Sequence, residues 1–257
     1  LVKSNGDPRF AQKRLEALSL RSRLPVFVPD DTITLKNPSP PTNGTFPGLF
    51  RIGAASNREL GGTIEIGIRT SYLDLIGNGH GQFENANLTT ADAWIRFNEE
   101  KVFLHRLDLI NIQNHNLSKT GLPGDGGLAW RFRLGWERVY LRKLDNSVFH
   151  FTGGIGKGFY LNQNHTLYTM LDGFSRFYKT NYVSTGAIPS LGYLSEPITG
   201  WKFLMEWGSE TPFDRSEPDL NTYRLENRFG TSQYWDIRLS YLKRQTEEIS
   251  TSINIFW

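Results

Sequence analysis

The sequence contains no cysteine among its 257 residues. This absence excludes disulfide bonds, thiol nucleophiles and cysteine-based zinc sites. Long apolar runs are also missing: the mean hydropathy is −0.43, and no stretch of about 18 apolar residues occurs, which excludes a transmembrane helix. An excess of one charge is lacking too, because the net charge is only +3 and basic and acidic residues are interleaved. The sequence therefore gives no indication of nucleic-acid binding.

Aromatic residues, in contrast, are abundant, with 17 Phe, 10 Tyr and 7 Trp, and they accompany 25 Gly. Transmembrane β-barrels carry aromatic residues in girdles at both membrane interfaces, and only alternate residues of their strands face lipid. The composition is therefore compatible with a membrane barrel although it excludes a membrane helix.

The final nine residues, 249–257, alternate between apolar and polar side chains and end on an aromatic. Ile253, Ile255 and Trp257 fall on one face of a strand, whereas Ser252 and Asn254 fall on the other. This pattern predicts the closing strand of a transmembrane β-barrel. The other interpretation is a half-buried edge strand of a soluble sandwich.

The first 45 residues differ from the rest of the chain. Asp7 and the proline after it are placed to cap and open a short amphipathic helix that continues to Leu24. Residues 25–47 are rich in Pro, Asn, Thr and Ser, which indicates an extended linker. We therefore divide the chain into a helix and Pro-rich linker, residues 1–45, and a β domain, residues 46–257. The linker either enters the β domain from a preceding module or lies on it as an arm.

The β domain contains about twelve strand-like segments separated by turn signals at even spacing. Strands of ten or more residues with tight turns favour a tilted membrane barrel over a sandwich, whose strands are usually shorter. The predicted fold is therefore all-β: a transmembrane antiparallel β-barrel of about 12 strands in the bacterial outer membrane, preceded by a short helix and linker. The segments are 46–57, 62–76, 87–98, 101–113, 128–144, 147–161, 166–179, 182–194, 200–211, 220–231, 234–245 and 248–257.

Full charges of both signs occupy the polar face of several strands, opposite Trp, Phe and Ile. In a barrel of only about twelve strands, such a face indicates paired arginines and carboxylates that fill the lumen. We therefore expect a narrow or occluded interior. The predicted lumen charge network comprises Glu65, Arg69, Arg131, Arg133, Glu137, Arg224, Glu226, Arg228 and Arg238.

An even number of strands places both ends of the barrel on one side, which in bacterial barrels is the periplasm. On this count the long connections Gly77–Ala86 and Asn114–Gly127 are periplasmic, and Glu210–Leu220 is the long extracellular one. This reverses the usual pattern of short periplasmic turns. Two long inward connections beside an N-terminal linker indicate a surface that docks a periplasmic partner.

The strongest catalytic pattern is the cluster Gln113–Ser118, which contains His115 and Ser118. A His and a Ser on a barrel wall resemble outer-membrane phospholipase A, a twelve-stranded barrel whose His and Ser are two residues apart on one strand. Here the two residues are three apart, so they would face opposite sides of a strand. His115 and Ser118 are therefore weak candidates, and no catalytic residue is assigned.

Three other patterns have an ordinary explanation beside the functional one. His80, flanked by glycines, is either a ligand or base or a turn residue. Gly153–Gly158 is superficially similar to a phosphate-binding loop, but no helix pattern follows, so tight curvature or close packing of a strand explains these glycines. Asp214, Glu217 and Asp219 form either a weak divalent-ion site or a solvated acidic loop.

Three motifs occur together in the first half of the β domain: E-x-G-x-R-x-x-Y-x-D-L from Glu65, L-D-L-x-x-I from Leu107 and W-R-x-x-x-G-x-E-R from Trp130. Over residues 40–140 this combination resembles the C-terminal region of Lnb-like periplasmic proteins. The N-terminal domain of these bacterial envelope proteins is a cysteine-dependent lipoprotein N-acyltransferase or a relative of one. The C-terminal region of the longer members looks like an outer-membrane barrel.

Because this chain has no cysteine, the resemblance implies that it is the barrel portion and that acyl transfer takes place outside it. The resemblance gives structural or docking roles to Tyr72, Asp74, Asp108, Trp130, Arg131, Glu137 and Arg138.

These observations favour an outer-membrane β-barrel that anchors or positions a periplasmic module, in lipid or lipoprotein processing, and performs no chemistry itself. The expected partners are outer-membrane lipid and a periplasmic protein or domain. No nucleic acid, cofactor or metal is expected. The alternatives are a lipid hydrolase like outer-membrane phospholipase and a narrow channel.

Overall fold

The computed structural model describes residues 8–24, 40–78, 85–117, 127–141, 144–162, 164–214 and 218–257. The chain divides into two compact units, Leu1–Pro38 and Ser39–Trp257. The first contains the helix α1, Pro8–Arg23, which begins at the proline that the sequence pattern indicated. The second contains a 3-10 turn, Pro41–Asn43, and every described strand.

The second unit is a closed barrel in which each strand pairs antiparallel with the next and β12 pairs with β1. The predicted fold class, a twelve-stranded antiparallel transmembrane-type β-barrel preceded by a short helix, is confirmed. The strands are β1 Gly48–Asn57, β2 Gly61–Leu73, β3 Ala86–Phe97, β4 Val102–Asn114, β5 Ala129–Leu141, β6 Leu144–Asn162, β7 His165–Tyr178, β8 Val183–Ile198, β9 Trp201–Pro212, β10 Leu220–Phe229, β11 Trp235–Lys243 and β12 Glu247–Phe256.

The ring closes between the first and the last strand, where Leu49 pairs with Phe256. Beyond this pair, Gly48 and Trp257 exchange backbone hydrogen bonds of 3.1 and 3.0 Å. The structure places Ile253, Ile255 and Trp257 on the outer surface, each about half exposed. We call the end at which β1 begins and β12 ends the terminal rim, and the other end the opposite rim.

Alternation along the strands, shifted in places by β-bulges, separates an apolar outside from a polar inside. In β2, Ile64 and Ile68 are 59% and 54% exposed, whereas the intervening Glu65 is 1% exposed. In β7 the inward side chains are all buried, whereas Leu171 on the outer face is 58% exposed. The exposed leucines and isoleucines therefore form the outer wall, which is the arrangement of a barrel surrounded by lipid.

Aromatic side chains form two belts on the wall. Near the terminal rim, contacts between ring centroids of 5.7–6.2 Å link a chain of rings: His165, Tyr193, Phe203, Trp201 and Phe229. Towards the opposite rim, a second group comprises Trp136, Phe149 and Phe177. Two belts of this kind are typical of the two interfaces of a membrane.

The predicted segments 128–144 and 147–161 imply a turn at Leu144–Ser147, and this prediction is wrong. Strand β6 already begins at Leu144, and Asp145 and Asn146 pair with Tyr140 and Val139 of β5. Asp, Asn and Ser favour turns by local hydrogen bonding. Here pairing with the neighbouring strand outweighs that local preference, and the hairpin closes between Leu141 and Leu144.

The glycine-rich run Gly153–Gly158 lies within β6, not in a loop before a helix. A Cβ atom added at Gly156 would overlap the backbone carbonyl oxygen of Thr169 in β7, whereas one added at Gly153 would lie 3.8 Å from its nearest neighbour. Gly156 therefore allows β6 and β7 to approach closely, and the run needs no phosphate to explain it.

Gly156→Ala should destabilise the barrel by roughly 1–3 kcal/mol, because the added methyl group must displace backbone. Gly153→Ala, three residues away in the same strand, is the matched control and should change the stability little. Urea unfolding of the refolded barrel, followed by tryptophan fluorescence, compares the two. Equal midpoints would contradict this explanation of the glycines.

Candidate functional site

The barrel encloses a cavity of about 410 Å³. Among the described residues, eleven arginines and nine carboxylates line it, and no lysine does. Arginine suits such a place because its planar guanidinium group offers several donors in a fixed geometry and stays charged. The charged lining is Arg51, Arg69, Arg96, Arg106, Arg131, Arg133, Arg138, Arg176, Arg224, Arg238, Arg244, Glu65, Asp74, Asp92, Glu137, Asp172, Glu206, Glu210, Glu226 and Glu248.

One cluster joins strands β2, β3 and β12. Arg96 Nη2 lies 3.0 Å from the Glu65 carboxylate and 2.7 Å from that of Glu248. Arg96 and Glu65 are almost fully buried, and Glu248 is 12% exposed. One guanidinium group therefore pairs with both carboxylates and connects three strands through the lumen, and Asn57 also donates to Glu248 at 2.9 Å.

A second cluster joins β5, β7 and β9 across the barrel. Arg131 Nη1 lies 2.9 Å from Glu206, and Arg131 also binds Asp172. The Tyr168 hydroxyl donates to the same Glu206 carboxylate at 2.7 Å. Because β5 and β9 are not neighbours in the sheet, the Arg131–Glu206 pair spans the lumen.

A third cluster lies nearer the opposite rim. Arg133 lies 2.9 Å from both Asp108 and Glu137. Arg244, in the connection between β11 and β12, reaches Glu137 at 2.8 Å and Glu210 of β9 at 3.0 Å. Arg244 thus crosses the barrel from one wall to the other.

The remaining predicted network residues lie on β2, β10 and β11. Arg69 and Arg238 both bind Asp74 at 2.7 Å, and Arg228 lies 3.1 Å from Asp236. The pair Arg224–Glu226 differs, because these side chains are 42% and 26% exposed to the cavity.

The nine predicted network residues thus line the lumen or its buried wall, where each one pairs with an opposite charge. Sequence reasoning missed most of their partners. The missed partners are Asp74, Arg96, Asp108, Asp172, Glu206, Asp236 and Arg244. Two further carboxylates, Glu248 and Glu210, pair with Arg96 and Arg244. Alternation alone indicates that Asp236 faces inward, because it is two residues from Arg238 in β11. The ion pairs between strands that are not neighbours could not be predicted in this way, because they form only when the ring closes.

The first residues of the β2–β3 connection turn into the barrel at the terminal rim. The Gly77 amide donates to the Asp74 carbonyl at 2.9 Å, and the Asn78 side chain donates to the Thr231 carbonyl at 3.3 Å. This turn buries Leu75 and Ile76 to 7% and 1% exposure. With five barrel residues they form an apolar cluster, whose other members are Ala129, Tyr168, Met170, Leu194 and Leu204.

Asp74 fastens this turn to the wall. Burial alone would raise its pKa, but the guanidinium groups of Arg238 and Arg69 outweigh burial and hold the pKa well below the usual 3.8. The described cavity lining extends from Gln245 and Thr246 at the opposite rim to Leu75 and Ile76. We call the segment Asp74–Asn78 the plug, since its apolar side chains lie inside the barrel near the terminal rim.

His115 follows β4 and points into the protein, with no exposed surface. Its ring stacks on Tyr168 at 4.0 Å, and Gln113 bonds its Nε2 at 2.7 Å. Burial lowers the pKa of His115 to about 4, so the ring is neutral at neutral pH. Ser118 lies outside the described residues. The contacts of His115 are those of a packing residue beneath the plug and give it no route to a substrate.

A different His and Ser meet on the outer wall, where the sequence gave no signal for them. Strands β7 and β8 place His165 directly opposite Ser195, and the Ser195 hydroxyl lies 2.8 Å from His165 Nδ1. The Tyr193 hydroxyl lies 2.6 Å from the same nitrogen. Ser195 is only 1% exposed, so its oxygen cannot reach a lipid ester. This group belongs to the aromatic belt.

The other residues of the sequence motifs and patterns have separate places. Trp130 lies on the wall and is 41% exposed, and the Arg138 guanidinium lies 4.3 Å from the ring centre of Phe103. Asp214 accepts a hydrogen bond from Tyr182 at 3.0 Å. The Tyr72 side chain, His80 and Glu217 lie outside the described part of the chain. No described group of three or more His, Asp or Glu side chains is placed to hold a metal ion.

Comparisons with known proteins give one family match. The model described as "Domain of unknown function (DUF7840)" matches residues 38–257. No curated protein matches the chain. In the described residues, no helix has the length and apolar character needed to cross a membrane.

Similar solved structures include a KdgM porin, which is 5% identical, with a TM-score of 0.46 over 81% of this chain and 99% of that one. A bacterial polysaccharide outer membrane secretin is 8% identical, with a TM-score of 0.43 over 82% and 98%. The anion-selective porin from Comamonas acidovorans is 10% identical, with a TM-score of 0.39 over 83% and 100%. These similarities are too low to bear on what the chain binds.

Proposed function

The chain belongs to the DUF7840 family, and we propose that it is an outer-membrane β-barrel that is closed to bulk flow and anchors a periplasmic protein or domain at its terminal rim. One observation carries the proposal. The two long connections, residues 74–85 and 115–128, lie at the same rim as both ends of the barrel, and the plug lies inside the lumen there.

The wall supports a membrane location. The strands turn leucine, isoleucine or aromatic side chains outwards, and most of their charged residues face the lumen. A soluble barrel would bury its apolar face, because large contiguous apolar surfaces are rarely left in water. In a closed barrel each strand is hydrogen-bonded to a neighbour on both sides, so the backbone N–H and C=O groups of the strands are paired within the protein. This pairing is the condition for strands to cross a bilayer.

The connections support a docking role for the terminal rim. At the opposite rim the longest connection is residues 213–219, and the others have two to four residues. Bacterial barrels with an even strand number have both ends in the periplasm and usually have short turns there. In this barrel the two longest connections lie on that side instead, which supports a docking role for the terminal rim.

The resemblance to Lnb-like proteins supports a partner that acts on lipids or lipoproteins. In that interpretation the barrel holds the catalytic domain at the membrane and takes no part in acyl transfer. The motif residues Asp74, Arg131 and Glu137 agree with a structural role, because each one is engaged in an ion pair within the lumen.

Photo-crosslinking in living cells tests the docking role. A photoreactive phenylalanine analogue at Asn116 or Asn164, exposed at the terminal rim, should give discrete adducts with a periplasmic protein or domain. The matched positions Glu100 and Thr180, exposed at the opposite rim, should give none. Adducts confined to the opposite rim, or none at either rim in a correctly inserted barrel, would overturn the anchoring proposal.

A further inference from the structure

Arg51 is buried in the wall of the lumen and has no carboxylate partner among the described residues. It is 4% exposed and lines the cavity. Nine of the other lining arginines pair with a described carboxylate, which is the usual requirement for a charge inside a protein. Arg51 differs from these nine, because its contacts are with an amide group and an aromatic ring.

The two contacts of Arg51 leave one edge of its guanidinium group unoccupied. Its Nε donates to Asn254 Oδ1 at 2.6 Å, and its guanidinium carbon lies 3.9 Å from the centre of the Trp94 ring. The Asn254 amide nitrogen in turn donates to Asp236, which fixes the amide group with its oxygen towards Arg51. Neither partner of Arg51 is charged. Within the described part of the chain, its two Nη atoms have no hydrogen-bond acceptor, and they face the cavity.

Strand register places the partners of Arg51 in one row across the sheet. The row runs from Asn254 of β12 through Arg51 of β1 and Gly67 of β2 to Trp94 of β3. Gly67 has no side chain to stand between the arginine and the ring, since even an added Cβ atom would lie only 3.6 Å from Arg51 Cβ. The guanidinium group can therefore lie over the ring, where cation–π attraction holds it in place.

We propose that the lumen binds a small oxyanion, a carboxylate or a phosphate, on Arg51. A guanidinium group presents parallel N–H donors along an edge, and such a pair of donors matches two oxygens of these anions. The bond to Asn254 occupies Nε, so the edge formed by Nη1 and Nη2 is the one that receives the anion. This inference goes beyond the anchoring role and does not depend on it, because it requires only the folded barrel.

The cavity gives such an anion both room and access. Its volume is about 410 Å³, many times the roughly 30 Å³ that one water molecule occupies in the liquid. Its lining reaches Gln245 and Thr246 at the opposite rim, so a solute can enter from that side. Asp92 also lines the cavity, but its Oδ1 already accepts the Trp94 indole N–H at 2.6 Å. An anion from solution would therefore neutralise a buried charge that no described carboxylate pairs with.

Calorimetric titration of the refolded full chain in detergent tests the proposal. Inorganic phosphate and acetate are titrated separately at constant ionic strength, and the anion that binds more tightly identifies the class. Arg51→Gln should weaken its binding by roughly tenfold or more, because a hydrogen bond to a charged group contributes about that factor. Arg224→Gln is the matched control, since it removes one positive charge from the same cavity, and it should bind nearly as the parent protein does.

Tryptophan emission gives a second measurement that leaves Arg51 intact and so serves even if Arg51→Gln does not fold. All seven tryptophans lie in the described part of the chain, and Trp94 alone among them lines the cavity. The anion should change the emission of the parent protein. Trp94→Phe should remove that change, while calorimetry still detects binding because the aromatic ring and Arg51 remain.

Three outcomes would overturn the inference in protein whose mobility shift on boiling shows a folded barrel. The parent protein could bind neither phosphate nor acetate. Arg51→Gln and Arg224→Gln could weaken binding equally, which would indicate attraction to the cavity as a whole. Binding could also leave the emission of the parent protein unchanged, which would place the anion away from Trp94.

Discussion

Arg96→Ala should lower the free energy of unfolding of the barrel by about 3–5 kcal/mol, the usual cost when one member of a buried ion pair is removed. Arg96 is 2% exposed and neutralises both Glu65 and Glu248. Without its guanidinium group, both carboxylates lose their ion-pair partner in the lumen wall. The midpoint of urea unfolding of the refolded protein, followed by tryptophan fluorescence, measures the loss.

Arg224→Ala is the matched control because it removes the same side chain from the same lumen. Its partner Glu226 is 26% exposed and Arg224 itself 42% exposed, so water can replace the interaction. Exposed pairs contribute about 0–1 kcal/mol. If the two substitutions lowered stability equally, the account of the lumen as a set of buried ion pairs that hold the strands together would be contradicted.

Leu75→Gly combined with Ile76→Gly should convert a closed barrel into a conducting one. These two side chains line the cavity on the terminal side, and the cavity already extends to Gln245 and Thr246 at the opposite rim. Removing both side chains takes away the apolar contacts that hold the plug against Tyr168 and its neighbours. We expect discrete current steps in planar bilayers for the variant and a closed state for the parent protein.

Leu128→Gly is the control for this experiment, since Leu128 lies at the same rim but is 61% exposed. It should stay closed. Steady current steps from the parent protein would contradict the closed lumen and favour the narrow channel, the alternative that the charged interior also allows. Current steps from the Leu128→Gly variant alone would show that the plug is not what closes the terminal end.

Sequence periodicity predicted the strands well because membrane barrels impose a simple rule: alternate residues face lipid, and the others face the lumen. That rule identified Glu65, Arg131 and Arg238 as inward residues without knowledge of any contact. It also gave the number of strands and placed both long connections at the terminal rim. The rule is local, so it applies to each strand independently of the closed ring.

The contacts that close the lumen lay beyond this reasoning because they join residues far apart in the chain. Arg244 follows β11 and reaches Glu137 in β5, a pairing that exists only after the sheet has curved into a ring. The plug is a similar case, since Leu75 and Ile76 belong to no strand and their burial depends on a turn held by Asp74. The predicted turn at Leu144–Ser147 failed for a related reason, because pairing with β5 outweighed local turn preference.

Electrophoresis of purified outer membranes, with and without boiling, tests the central claim most directly. If the apolar wall faces lipid, the protein should be found in the outer-membrane fraction, and the unboiled sample should migrate at a different apparent size because a closed barrel resists unfolding by detergent. A soluble protein whose mobility is the same before and after boiling would contradict the account, because the anchor, the plug and the closed lumen all depend on a barrel that spans the membrane.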